Sequence, residues 1–385
     1  MARLSISYLW RDTKLPQAFR AGVSLHSHTN QSIEPLAFLA KVGAQYPAMR
    51  QLTRWLEKGS QARDGLGISY ASGYWTPPMT PKQAFDLEWE QIEKLGVAPM
   101  VSITDHDSIQ APMLLSAMPN ARPIPVSVEW TVPYGIQSFH LGVHNLPGSR
   151  ATEWMAVLAA YTANPSHQRL GEILAALNDE PNVLVVFNHP AWDLYLIGKV
   201  RHKYLVNEFL QKFGSCLHAL ELNGLRDWNE NRATRRLAEK WNLQLVSGGD
   251  RHGVEPSANI NLTNAADFTE FVNEIRREKM SDVLFLSQYA EPWKLRMLQS
   301  AIDAVRFYPE FPRGSRAWDE RFYHPDAHGV PRPLSELWLN GRAPWAMRWS
   351  IRLFQMMGRK PVSTSLRMVW SDADQLHLAL GEHDS

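Results

Sequence analysis

The sequence predicts an α/β protein organised on a closed barrel of seven strands, with an appended, mostly helical segment at its C-terminal side. Three observations carry this expectation. Short apolar runs near Val23, Val101, Val126, Leu141, Val185, Leu220 and Leu245 read as strands. Stretches of helical periodicity separate most of them, and strands that largely alternate with helices imply a mainly parallel sheet, which this many units favours closing into a barrel. Polar, chemistry-bearing residues sit at or near the C-terminal ends of several runs, where β/α barrels gather their active sites.

The first run ends in Leu25-His26-Ser27-His28-Thr29. Alternate side chains of an extended strand share a face, so His26 and His28 can grip one cation together. Pro35 to Val42 reads as the start of a helix, and a polar insertion from about residue 45 to 74 follows. A surface excursion and a loop shaping a site entrance suit that insertion equally. Thr80-Pro81-Lys82-Gln83 is a capping box with proline at the first helical position. Phe85, Trp89, Ile92 and Leu95 then recur at helical spacing, and Gly96 is a natural stop.

The strand Met100 to Thr104 leads straight into Asp105-His106-Asp107. Residues 124–132 form a strand carrying Glu129 among apolar neighbours, and residues 138–144 another carrying His140. Helices are expected over 151–162 and 168–177. The buried run Val183 to Phe187 ends in Asn188-His189-Pro190. A strand over 217–223, a helix near 231–240 and a strand over 243–247 bring the chain to Gly248-Gly249-Asp250-Arg251-His252.

From about Asn259 the character shifts. Helical stretches over 268–278 and 293–307 flank the apolar run Val283 to Leu286 and can close the barrel. The barrel is therefore placed in residues 1–307, and a Trp-, Arg- and Pro-rich extension in 308–385. Within the extension, residues 344–358 form an amphipathic helix with Ala346, Trp349, Leu353 and Met356 on one face and Arg348, Arg352, Gln355 and Arg359 on the other. No acidic residue occurs between Glu336 and Asp372. A membrane-surface or nucleic-acid contact is conceivable there; the plainer expectation is a helix packed on the barrel with a solvated basic face.

The 385 residues allow one large domain or two ordinary ones, and 44% apolar with 21% charged content is that of a soluble globular protein. A net charge of +1 gives the whole molecule no electrostatic footprint for nucleic acid. The single cysteine, Cys216, excludes an internal disulfide. The opening MARLSISYLWRDTKLPQAF lacks the apolar run of a signal peptide, and no stretch approaches a membrane span. A cytoplasmic location is expected; the oligomeric state is not legible.

Eight residues thus point to one site: His26, His28, His106, Glu129, His140, His189, Asp250 and His252. His167, His202, His218, His324, His328, His377 and His383 read as ordinary. Eight ligands exceed what one four-coordinate ion takes, so two or three divalent ions are expected, some bridged by carboxylates. Imidazoles and carboxylates without a thiolate suit Zn, Mn or Fe. An ionised, unpaired Glu129 in an apolar strand costs several kcal/mol, so a metal or cationic partner is close to required. Ions held close together stabilise both oxygens of an in-line displacement at phosphorus, and they acidify a shared water. Hydrolysis of a phosphate ester by a metal-bound hydroxide is the expected chemistry.

His26-Ser27-His28, Ile103-Thr104-Asp105-His106-Asp107, Val128-Glu129, Phe139-His140-Leu141-Gly142, Asn188-His189-Pro190 and Gly249-Asp250-Arg251-His252 resemble, in order, the motifs of the PHP (polymerase and histidinol phosphatase) family, over roughly residues 20 to 255. The resemblance implies a distorted seven-stranded β/α barrel, a trinuclear metal centre and phosphoesterase activity. It implies that His26, His28, Glu129 and Asp250 hold one metal, that Glu129 bridges to a second completed by His140 and His189, and that His106 and His252 hold the third. The family usually supplies a further Asp or His shortly after the second histidine; here Glu34, beside Pro35, stands in its place as a possible third-site ligand.

Around these ligands, Asp105 and Asp107 are expected to orient His106 or its neighbours. Arg226 and Arg251 lie just past strand ends, where a guanidinium can clamp a phosphate. His144 shares the strand face of His140 and either donates a proton to the leaving group or merely lines the pocket. Near-neutral charge favours a small phosphorylated metabolite or nucleotide as substrate. The rival readings are an exonuclease using the basic C-terminal segment as one wall, a non-catalytic metal-stabilised scaffold, and metal-assisted hydrolysis of a C–N bond.

Overall fold

The computed structural model describes residues 3–37 and 67–370, together with residues 51, 54, 57, 58, 60 and 65. Most of the polar insertion, the expected helix beyond residue 37, and His377 and His383 lie outside the described residues.

In chain order the strands are β1 (Arg3–Tyr8), β2 (Ala21–Ser24), β3 (Glu34–Pro35), β4 (Tyr74–Trp75), β5 (Ala98–Val101), β6 (Val126–Tyr134), β7 (Gln137–Leu146), β8 (Leu184–Phe187), β9 (Ala219–Asn223), β10 (Gln244–Gly248), β11 (Asn259–Thr263), β12 (Met280–Phe285), β13 (Phe322–Pro325) and β14 (Pro331–Pro333). The longer helices are α1 (Pro81–Glu93), α2 (Ala151–Ala163), α3 (His167–Asp179), α4 (Lys199–Phe213), α5 (Trp228–Trp241), α6 (Trp293–Val305), α7 (Trp345–Met357) and α8 (Lys360–Val369). Every one of the seven runs expected as strands falls within a strand, and Thr80 caps α1 as its capping box requires.

The sheet arrangement differs from the expectation. The described strands do not close into a seven-stranded barrel. They form two five-stranded sheets, ordered β1-β12-β11-β2-β5 and β10-β9-β8-β7-β6, and a four-stranded sheet ordered β14-β13-β4-β3. Nor is the pairing mainly parallel: β6–β7, β7–β8, β11–β12 and β2–β11 are antiparallel. For β6–β7 the reason is connection length. Gly135 and Ile136 alone join β6 to β7, and so short a link can only turn the chain back on itself. Gly135 sits at φ +64°, a conformation glycine adopts without penalty.

Two isolated parallel bridges tie the five-stranded sheets together, Ser27 to Arg251 and His106 to Glu129. Backbone bonds support them: His28 N–H donates to Arg251 O at 2.8 Å, and Asp107 N–H to Glu129 O at 2.9 Å. These junctions lie just past the C-terminal ends of β2, β5 and β10, so the sheets meet where the predicted site residues are.

Strand alternation decides which side chains reach that junction. In β6 to β8, Val128, Trp130, Leu141, Val143, Val185 and Phe187 turn outward into a core shared with α2, α3 and α4. Each such fully buried side chain contributes roughly 1.5–3 kcal/mol. The intervening residues, among them Glu129 and His140, turn the other way, as period two demands. Leu184 and Val186, on the inner side of β8, pack with Val23, Leu25, Ala219 and Val246 between the sheets.

The C-terminal segment joins the rest by strand pairing: β13 pairs with β4, which pairs with β3. Helix α7 corrects an expectation. It packs inward through Met347, beside Leu334, Leu337 and Trp338, with Ile351 partly buried against them. Trp349, Leu353 and Met356, expected to face the barrel, are exposed instead. A second apolar stripe, Met347 and Ile351, outcompetes them because it meets the pocket formed by Trp338 and its neighbours. No helix among the described residues is long and apolar enough to cross a membrane.

Candidate metal centre

Glu129 is the hub. Its Oε2 lies 3.0 Å from His26 Nε2, 3.3 Å from His28 Nε2 and 3.3 Å from His106 Nε2; its Oε1 lies 3.3 Å from His189 Nε2 and 3.5 Å from His140 Nδ1. One fully buried carboxylate thus reaches five imidazoles delivered by four separate segments. Asp250 Oδ1 stands 3.7 Å from His26, 3.6 Å from His28 and 3.5 Å from His252. Glu34 faces His106 and His252, each at 3.4 Å. All eight predicted residues, with Glu34, therefore come together. Ligand atoms of His26, His28 and Glu129, of His106, Glu129 and His140, of His28, Asp250 and His252, and of His28, Glu34 and His106 lie close enough together to hold a metal ion.

The backbone is bent to achieve this. Asp107, His189 and Asp250 occupy positive φ values of 51°, 31° and 52°. Such conformations cost about 1–3 kcal/mol each and persist where the surroundings over-determine them.

The donor set fits divalent cations. His26 Nδ1 is 2.5 Å from Glu221 Oε1, and an ionised carboxylate can only accept, so Nδ1 carries the proton. The lone pair of Nε2 is thereby aimed at Glu129 and at His28 Nε2, 3.0 Å away. Two imidazole lone pairs and a carboxylate oxygen at such separations repel one another unless a cation lies among them. Protons fill that role in the protein alone. Burial disfavours the His26 imidazolium, yet Glu129, Glu221 and Asp250 together hold its pKa well above the usual histidine value. His252 is likewise pushed up to about 9, the Glu34 and Asp250 carboxylates outweighing its burial. Glu129 and Asp250 are held well below the usual carboxylate range, their desolvation outweighed by His26 and the other imidazoles around them.

Several assignments around the ligands need revision. Arg251 does not face the centre: it is buried, its guanidinium bonded to Glu88 Oε1 at 3.0 Å and to the carbonyls of Gly253 and Val254. Arg226 is also buried, lying 4.0 Å above the Trp192 ring, whose far neighbour is His189 at 5.1 Å. It is one aromatic layer removed from the ligands. His144 accompanies His140 on the inner face of β7 but is buried and bonded to Ser102 Oγ at 3.0 Å. Burial drives its pKa down to about 3, which favours the uncharged imidazole near neutrality. Asp105 accepts from both the backbone N–H and hydroxyl of Thr29, fixing the segment that carries His26 and His28. Asp107 accepts from Thr131 N–H and pins β6 beside His106.

Glu221 was missed by sequence reasoning, although the signal that marked Glu129 marks it too: a carboxylate between Leu220 and Leu222 in an apolar strand. Its Oε2 accepts from His189 N–H at 2.8 Å and from Asn223. A Cβ at Gly248 would lie 1.4 Å from Glu221 Oε1, so that glycine makes room for the carboxylate. Asn188 donates to Glu129 Oε1 at 2.9 Å, and Asn223 to Asp250 Oδ2 at 3.1 Å.

No protein-family model matches the chain, and no curated protein matches it. Among solved structures it is similar to a protein of Bifidobacterium adolescentis described provisionally as a metal-dependent phosphoesterase, at 17% identity and TM-score 0.33, over 52% of this chain and 91% of that one. It is similar to PsfC of Pseudomonas syringae at 16% identity and TM-score 0.39, over 57% and 88%. An amidohydrolase of Chromobacterium violaceum, holding sulfate and no metal, aligns at 14% identity and TM-score 0.32, over 46% and 84%.

Proposed function

We propose that this protein is a metal-dependent phosphoesterase of the PHP type, acting on a small phosphorylated substrate. The observation that carries the reading is the reach of Glu129 to five imidazoles at 3.0–3.5 Å. A bridging carboxylate surrounded by neutral nitrogen donors is the arrangement that holds neighbouring divalent ions.

In this reading His26, His28, Glu129 and Asp250 hold one ion, and Glu129, His140 and His189 a second. His106, His252 and Glu34 hold a third. Such ions, when bound, acidify water and neutralise charge developing on phosphoryl oxygens. The chain's own contribution is orientation. Glu221 fixes the tautomer of His26, Asn188 holds Glu129, and Asn223 holds Asp250.

The test is metal analysis of the purified protein, with a screen of aryl, sugar and nucleotide phosphates before and after chelation. Bound divalent metal and chelator-sensitive hydrolysis support the proposal. Full metal content with no ester hydrolysed overturns it in favour of a metal-stabilised scaffold.

A further inference from the structure

A cavity of about 350 Å³ opens beside Asp250 and His252, between the loops that follow β9 and β10 and the helix α6. It is within the size range of small-molecule sites. Ser287, Gln288, Gln299 and Ser300 line it, and one wall is Arg367 of α8, in the C-terminal segment. Building on the phosphoesterase reading, we propose that this cavity seats the alcohol portion of the substrate, and that this portion is a small, uncharged, hydroxyl-rich group such as a polyol or sugar.

Three features of the lining lead there. Its lining holds no Phe, Tyr or Trp, and its single imidazole, His252, is a proposed metal ligand, so it offers no free platform on which a nucleobase would stack. Its guanidinium groups are already engaged. Arg251 is bonded to Glu88 at 3.0 Å, and Arg367 to Glu291 at 2.7 Å. Arg296 is bonded to the carbonyls of Gly224, Arg226 and Glu291. A second phosphate would have to compete with the partners that Arg251 and Arg296 hold in the interior and with Glu291 for Arg367. Beside the carboxylates of Asp250, Glu255 and Glu291, which disfavour a second anion, the lining presents two amides and two hydroxyls, each able both to donate and to accept, which matches the hydroxyl groups of a sugar. The cavity adjoins two proposed metal ligands, so an alcohol seated there has its ester oxygen beside the centre.

The experiment is steady-state kinetics and calorimetric binding with the metal-loaded full chain. Its probes are polyol and hexose monophosphates, nucleoside monophosphates and an aryl phosphate, tested on the native protein and a Gln288→Leu/Gln299→Leu double variant. Sugar phosphates are expected to exceed nucleoside monophosphates about tenfold in kcat/KM. The double variant is expected to raise KM for sugar phosphates about tenfold with little change in kcat, which also shows that it folds. Equal kcat/KM for both classes, or an unmoved KM in the variant, overturns the inference while leaving the phosphoesterase reading intact. If no ester at all is hydrolysed, that reading fails, and calorimetry decides the cavity separately. Sugar-phosphate binding weakened by the two substitutions upholds the assignment, and its absence ends it.

Discussion

Oε1 of Glu221 stands 2.5 Å from Nδ1 of His26, and this contact dictates what the opposite nitrogen of the ring can do. With the proton held on Nδ1, Nε2 is left free to bind a cation. Partners of this kind typically matter 10–100-fold to metal affinity. Glu221→Gln is therefore expected to weaken metal binding within about that range, measured by chelator competition. Gly248→Ala should do the same without touching any ligand, because its methyl would collide with the carboxylate. Wild-type affinity in both variants would show that Glu221 has no hold over the site.

Glu129→Gln should lower metal content and abolish turnover while leaving the far-ultraviolet circular dichroism spectrum intact. The substitution keeps the volume but removes the charge that five imidazoles face. Wild-type turnover in this variant would remove Glu129 from the centre.

The protein stripped of metal should lose thermal stability as pH rises from about 6.5 to 9. His252 has a pKa near 9 in the fold against an ordinary 6.5, so its stabilising imidazolium is fully present below 6.5 and gone above 9. His26, also raised, acts in the same direction. Metal binding runs oppositely, since it needs the imidazoles deprotonated. The gap in Tm between loaded and stripped protein should widen across this interval in a calorimetric scan. A constant gap would mean that these protons and the metals do not compete.

Arg251 and Glu88 form a buried ion pair, with Ser257 donating to the same carboxylate at 2.9 Å. Removing one partner strands a charge in the interior, which costs about 3–5 kcal/mol. Arg251→Met and Glu88→Gln should each lower Tm by several degrees, and the double variant should be less impaired than the sum of the two. Strict additivity in denaturant melts would show that the groups are not coupled.

The strands that alternate cleanly or run apolar, such as β6, β8 and β10, were legible in the sequence, and so were all eight convergent ligands, because each follows or interrupts such a run. β11 was not, since Asn259 and Asn261 interrupt its apolar alternation. Here Asn259 donates to Leu222 O and Asn261 to Ser247 Oγ, so buried amides stitch this strand to its neighbours. Arg251 and Arg226 misled for a related reason. A guanidinium beside a strand end can face a ligand or turn back to the interior, and the partner that settles this for Arg251, Glu88, lies 163 residues away. The inward face of α7 was equally undetermined, since two apolar stripes were on offer and Trp338 chose between them.

Glu34 rides on β3, β3 is paired to β4 at Trp75, and β4 is paired in turn to Phe322 of β13. A chain ended at residue 307 would retain all six imidazoles yet forfeit the outer brace of the strand that presents Glu34. The stretch richest in tryptophan and arginine, which supplies none of the proposed ligands, thereby braces the strand that presents Glu34.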